Sequence, residues 1–255
     1  ESRGLGDVYK RQIVIDIMKT LSFFTLLICA LFAFSASGQD IVGSGNPKSE
    51  IRKIASFESI DVGLAFQVTL TQGKSQRVSI EADDNILPYI VTEVKDKKLY
   101  IKMSGNRGFD SKCPMKIDIT IPALREIEAS GASSISSESL WKSQEMELDI
   151  SAASKLTLRI DVTSLKLELA GASKVDLSGS AGVLKAEVSA AAKLNAENLN
   201  VRKADIEVAG AANAEITVTE EIEYEANGAS KLTFKGSPRV LKAEVSTAAS
   251  VSERK

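Results

Sequence analysis

The sequence predicts an all-β chain, a β-helix or β-solenoid with coils of about 19 residues, preceded by a set of short strands. Three observations carry this expectation. Apolar and polar residues alternate in short runs, as in Leu167-Glu168-Leu169 and Val175-Asp176-Leu177, the period of a half-buried strand. Clusters of Ala, Gly and Ser separate these runs at a near-constant interval. The composition is 44% hydrophobic but only 5% aromatic, which suits a thin core of aliphatic side chains.

The interval is the strongest signal. Small-residue corners stand at SGASS from Ser130, SAASK from Ser151, AGASK from Ala170, SAAAK from Ser189, AGAAN from Ala209, NGASK from Asn227 and STAAS from Ser246. The steps between them are 21, 19, 19, 20, 18 and 19 residues. A fixed period in this range is the mark of a solenoid; leucine-rich repeats share the length but need an L-x-x-L-x-L frame that is absent here. Each repeat holds two alternating strands and two corners. Stacking the repeats brings every strand about 4.8 Å from its copy, so a bulky corner residue would collide with its own copies. Leu167, Ala186, Ile206 and Tyr224 are expected in one stacked row, and Leu169, Val188, Val208 and Ala226 in the next.

The remaining elements follow in chain order. Residues 1–17 resemble upstream read-through, with Met18 as the natural start. Residues 18–38 read as a secretory signal peptide: Lys19, an apolar run from Leu21 to Phe34, and small residues at Ala36 and Gly38 before a cleavage point at Gln39. That run is shorter than the roughly 20 residues a bilayer span requires. From 39 to 125 come short alternating runs, among them Phe57–Val62, Phe66–Leu70, Val78–Ala82, Leu99–Met103 and Met115–Ile121. They are expected to cover the open end of a seven-coil solenoid over 126–255, because bare strand edges invite aggregation. The other end carries only a short charged tail, so end-to-end association of two copies is also expected as an option.

The stretch SFESIDVGLAFQVTLTQGKSQRVSIEADDNILPYIVTEVKDKKLYIKM (56–103), the junction IPALREIEASGAS (121–133) and the later G-A-S corners together resemble the head GIN domain family. These are exported proteins common in Bacteroidetes and described as auto-transporter adhesins. The resemblance spans roughly residues 43 to 255. It implies a right-handed β-helix and an adhesin-like role at the cell envelope, and it brings no catalytic residues. Where the family's name denotes Gly-Ile-Asn, this chain has Gly63-Leu64-Ala65.

The composition narrows the chemistry. There is no histidine, which removes the usual neutral-pH base and the commonest zinc ligand. The two cysteines are Cys29, inside the leader, and Cys113, so no internal disulfide is expected in the exported chain. A net charge of −2 gives no basic surface for nucleic acid. No cofactor is expected. One column is a weak candidate for a cation stripe: Glu128, Asp149, Glu168, Glu187, Glu207, Glu225 and Glu244 each stand two residues before a corner and point outward. Carboxylates in a line could bridge hard cations such as calcium. The competing reading is a solvated face neutralised by Lys166, Lys185 and Lys242 beside it and by Lys155, Lys174, Lys193 and Lys231 beyond the corners. Asp83-Asp84-Asn85 reads as a turn rather than a metal loop, Trp141 as packing rather than a sugar platform beside Tyr100, and Cys113 as an inert thiol.

The expected function is an exported, non-enzymatic binding protein of the periplasm or cell surface, using a rigid repetitive face toward a surface glycan or an envelope protein. The alternatives are a carbohydrate-active enzyme built from paired acids on a β-helix, and a structural envelope element assembling through its coil ends.

Overall fold

The computed structural model describes residues 38–105 and 107–254. The expectations placed on residues 1–37, the read-through, nearly all of the leader and Cys29, lie outside them. The described residues are β throughout apart from one 3-10 turn, Leu87–Tyr89. Ten short strands come first: β1 (Gly38–Val42), β2 (Pro47–Arg52), β3 (Ser59–Val62), β4 (Gln67–Gln72), β5 (Arg77–Asp83), β6 (Ile90–Lys95), β7 (Lys98–Met103), β8 (Arg107–Asp110), β9 (Lys116–Ile121) and β10 (Glu126–Ala129). Five long strands follow: β11 (Ser134–Ile150), β12 (Lys155–Leu169), β13 (Lys174–Val188), β14 (Lys193–Val208) and β15 (Asn213–Ala226). The described chain ends with β16 (Lys231–Lys235), β17 (Arg239–Val245) and β18 (Ser250–Arg254).

Two contact units are distinguished. Of the smaller, only residues 38–40 and 107–108 are described, and all that follows concerns the larger unit from residue 41 onward. Its strands make one 16-stranded sheet wound as a solenoid. Strands β10 to β18 pair in parallel, each with the strand one repeat away: Leu167 lies against Ala186, Ala186 against Ile206 and Ile206 against Tyr224. The neighbouring row runs Leu169, Val188, Val208 and Ala226, as the spacing predicts. Both rows point inward because alternation sends every second side chain to one face. In β12 the inward set is Leu156, Leu158, Ile160, Val162, Leu165, Leu167 and Leu169, all buried.

Two features differ from the repeat reading. In β11 to β15 the second corner of the coil is a bend inside a continuous strand rather than a turn, whereas residues 236–238 separate β16 from β17. Bulges between Asp176 and Ser178 and between Ala196 and Asn200, with Gly179 at φ +111°, curve the strand without interrupting its ladder. The parallel ladder also continues past Glu126. Strand β10 pairs in parallel with β3, which pairs in parallel with β7, while β11 pairs with β4 and β4 with β9. Residues 59–72 therefore form a coil beneath 126–136, and β7 with β9 forms another below it. The residue 125/126 boundary is no break in the sheet.

That end of the solenoid finishes in antiparallel strands. Strand β6 lies antiparallel on β7, β5 on β9 and β2 on β5. The opposite end finishes on β17 and β18 with no strand beyond them among the described residues.

Candidate functional site

The acidic column exists as a physical row. Glu128 is in register with Asp149, Asp149 with Glu168, Glu168 with Glu187, Glu187 with Glu207, Glu207 with Glu225 and Glu225 with Glu244. The row extends one coil further, because Asp61 of β3 pairs with Glu128. Sequence reasoning missed Asp61, although it stands two residues before Gly63, the offset shared by all the others. Each acid is flanked along its strand by inward apolar residues, so alternation aims it at solvent.

Lysines neutralise part of the row. Lys98 reaches Glu128 at 2.6 Å and Glu126 at 2.8 Å, with only 17% of its side chain exposed. Its position in β7 is one coil below Ser59 and two below Glu126, and the small Ser59 lets it pass. Burial disfavours its charge, but the hydrogen bonds to Glu126 and Glu128 outweigh burial and hold its pKa above the usual lysine value. Lys166 joins Glu168 at 2.8 Å and Glu147 at 2.6 Å; Lys242 joins Glu244 at 2.9 Å. Lys185, Glu187 and Glu207 form no ion pair among the described residues. Where like charges meet, the acids are harder to ionise. Burial and then Glu128 raise the pKa of Asp61, and burial, Glu168 and Glu128 raise that of Asp149. Among the described residues no group of three or more acids, cysteines or histidines gathers closely enough to hold a metal. The reason is geometric: side chains stacked on parallel strands project side by side rather than converging on a point.

Beside the column runs the ridge of small corners. Its second position is Leu64, Gly131, Ala152, Gly171, Ala190, Gly210 and Gly228, all at positive φ between 60° and 74°, while Thr247 in the last corner is not. The backbone ladder continues through the bend: the N–H of Ala172 donates to the oxygen of Ala152 (2.7 Å), Ala191 to Gly171 (2.9 Å), Ala211 to Ala190 (2.7 Å) and Ala229 to Gly210 (2.7 Å). The methyls of Ala153, Ala172, Ala191, Ala211 and Ala229 are exposed, a flat strip one residue wide. Beyond it stand Lys155, Lys174, Lys193, Asn213 and Lys231 in register. The face is thus an acidic row, a smooth apolar strip and a basic row, all at one-coil spacing. Leu64 in the first corner shows that Gly63-Leu64-Ala65 is a turn of the same ridge.

The other candidates are structural. Asp83 is fully buried and accepts hydrogen bonds from the N–H groups of Gly45 (2.6 Å), Lys112 (3.0 Å) and Cys113 (3.0 Å) and from the Ser111 hydroxyl (2.8 Å). Burial alone would raise its pKa. The donors from Cys113, Ser111 and Gly45 outweigh burial and hold it far below the ordinary carboxylate value. Asp84 accepts from Ser44 Oγ and Asn85 from the Ser44 N–H, so this turn clips two loops together. Burial and the adjacent Asp83 carboxylate raise the Cys113 thiol, the opposite of an activated nucleophile. Trp141 is 1% exposed and its Nε1–H donates to Ser137 Oγ at 2.9 Å, which makes it packing. Tyr100 is half-buried in register with Asp61. No helix among the described residues is long and apolar enough to cross a membrane.

The sequence profile of a family described as "Putative auto-transporter adhesin, head GIN domain" matches residues 56–238. No curated protein matches the chain. Among solved structures, a "putative adhesin" of Bacteroides fragilis NCTC 9343 aligns with a TM-score of 0.79 at 22% identity, covering 84% of this chain and 100% of its own. A "putative adhesin" of Parabacteroides merdae ATCC 43184 aligns at 0.70 and 18%, covering 86% and 100%. A "Putative lipid binding protein" of Parabacteroides distasonis ATCC 8503 aligns at 0.70 and 20%, again covering 86% and 100%. These structures share the fold.

Proposed function

We propose the function from one premise: this chain belongs to the head GIN domain family of adhesin-like proteins. It is an exported protein of the periplasm or cell surface, without catalytic activity, that binds its partner along one rigid repetitive face. The observation that carries the reading is the triple row at the corner ridge, where acids from Asp61 to Glu244 flank an exposed strip of methyls and glycines. Such a face repeats the same contacts every coil and suits an extended, periodic partner, a surface glycan or an envelope protein. Its backbone is locked by hydrogen bonds through every bend from Ala152 to Ala229, so little ordering entropy opposes binding.

The test is a glycan array and an envelope-fraction binding assay with the wild type and a Glu187→Lys/Glu207→Lys variant whose melting temperature is not lowered. Binding lost in the variant supports the face. Binding that survives the reversal, or no binding to either target class, overturns the reading. Protease shaving of intact cells then separates surface from periplasmic placement.

A further inference from the structure

Among the described residues no strand pairs beyond β17 and β18 in the final coil. Strand β17 pairs with β15, Val240 with Ile222, Ala243 with Tyr224 and Val245 with Ala226, with a bulge at Leu241 where the register shifts between Val240 and Lys242. Ile222 and Ala226 are fully buried, whereas Val240 is 44% exposed, Leu241 49% and Val245 48%. Three of the seven exposed large hydrophobic residues among the described ones thus lie on this one strand. Its outer edge also presents unpaired backbone groups, the template for another strand.

The other half of the end coil is protected. Strand β18 places Glu253 at the inner position in register with Phe234, and an inward charge at an edge discourages pairing. Strand β17 carries no such guard, and its pattern fits one partner. Leu241-Lys242-Ala243-Glu244-Val245 alternates apolar and charged residues and is complementary to itself when reversed. Set antiparallel about a dyad at Ala243, Lys242 faces the second copy's Glu244 and Leu241 faces the second copy's Val245, each twice. Cross-strand pairs of opposite charge and of apolar side chains are the units that stabilise a sheet. A head-to-tail stack lacks this match, because the opposite end closes with antiparallel strands β6 and β2 rather than a free parallel edge. The fold already ends one ladder with an antiparallel strand; here a second chain supplies it.

We propose that β17 is an isologous docking edge through which two copies of this chain pair antiparallel, end to end, as a closed two-fold dimer. This goes beyond the lateral binding face and does not depend on it.

The experiment is sedimentation velocity on the purified protein from about 1 to about 100 µM, the range in which modest interfaces associate. The wild type is expected to pass from monomer to dimer and no further. Lys242→Glu alone places two glutamates opposite each other, and Glu244→Lys alone places two lysines. Each single variant is expected to weaken the dimer about tenfold or more. Mixing the two variants in equal amounts restores dimers, because each then meets its opposite charge. Ala243→Lys puts two ammonium groups at the dyad and abolishes association, with the melting temperature as the control for folding. A wild type that stays monomeric at every concentration overturns the proposal. So does growth beyond the dimer, a dimer indifferent to Ala243→Lys, or an equal mixture no more associated than its components.

Discussion

Gly171 lies directly over Ala152 in the corner ridge, with φ +74°, and a Cβ placed on it would collide with the carbonyl oxygen of Ala152. That oxygen is fixed, since it accepts the N–H of Ala172 in the same bend. Gly171 therefore has two requirements at once, a left-handed backbone and no side chain. Ala190, the next residue in the stack, has φ +60° but carries a methyl. We expect Gly171→Ala to cost about 1–3 kcal/mol, from left-handed strain and backbone displacement. Ala190→Gly is expected to change stability by less than about 1 kcal/mol, because relief of strain offsets added chain entropy. Urea unfolding of the two variants distinguishes them.

Asp83 gives the acid limb of stability a defined sign. Its folded pKa lies below the unfolded value of about 3.9, so its contribution is complete above that pH and is lost as pH falls through the folded pKa. Asp83→Asn removes an acceptor of four donors. It is expected to lower the melting temperature near neutral pH and to flatten its fall below about pH 4. A parallel shift of the wild-type and variant curves at all pH values would contradict this.

Asp149 acts in the opposite direction. Its pKa is raised by burial and by Glu168 and Glu128, so the folded state loses stability as pH rises from the unfolded pKa through the folded one. Asp149→Asn is expected to raise the melting temperature slightly at pH 7 and to have no effect well below pH 4. Melting curves at the two pH values check the sign.

The acidic column is expected to behave as a solvated charged row. Glu187→Gln with Glu207→Gln relieves like-charge repulsion and raises the melting temperature at low salt, an effect that shrinks as ionic strength rises. Calcium and chelator are expected to leave the melting temperature of the wild type unchanged. A calcium-dependent rise that the double variant abolishes would instead make the column a cation site.

Ser137 ties a strand carbonyl to the buried indole and also accepts the Ser139 N–H. Its hydroxyl donates to the Leu70 oxygen at 2.6 Å and accepts from Trp141 Nε1–H at 2.9 Å, both in the interior. Ser137→Ala is expected to cost about 1–3 kcal/mol by leaving the buried Trp141 Nε1–H unpaired. Trp141 is the sole tryptophan, so its fluorescence reports the unfolding directly.

Much of this architecture was legible because a solenoid repeats its chemistry in sequence. The row Leu167, Ala186, Ile206 and Tyr224 follows from alternation plus a fixed period, and the same arithmetic placed Glu128 to Glu244 in one line. Consecutive copies let local pattern stand in for long-range contact. The arithmetic failed where copies are not consecutive. Asp61 belongs to the column and Leu64 to the ridge, yet residues 73–125 intervene before the next coil at Glu126. Lys98 pairs with Glu128 for a similar reason, reaching over a coil that precedes it in the chain.

The sequence by itself determined the period, the inward rows and the small corners, because each is imposed by neighbours within a few residues or one repeat. Only the tertiary structure decided the order in which the first coils stack. The coil of β7 and β9 sits beneath that of β3 and β4, although it comes later in the chain. Strand pairing depends on edges meeting in space, and an edge has no signature in the chain until its partner is placed. For the same reason Val240 and Val245 are half exposed although their partners across the ladder, Ile222 and Ala226, are fully buried.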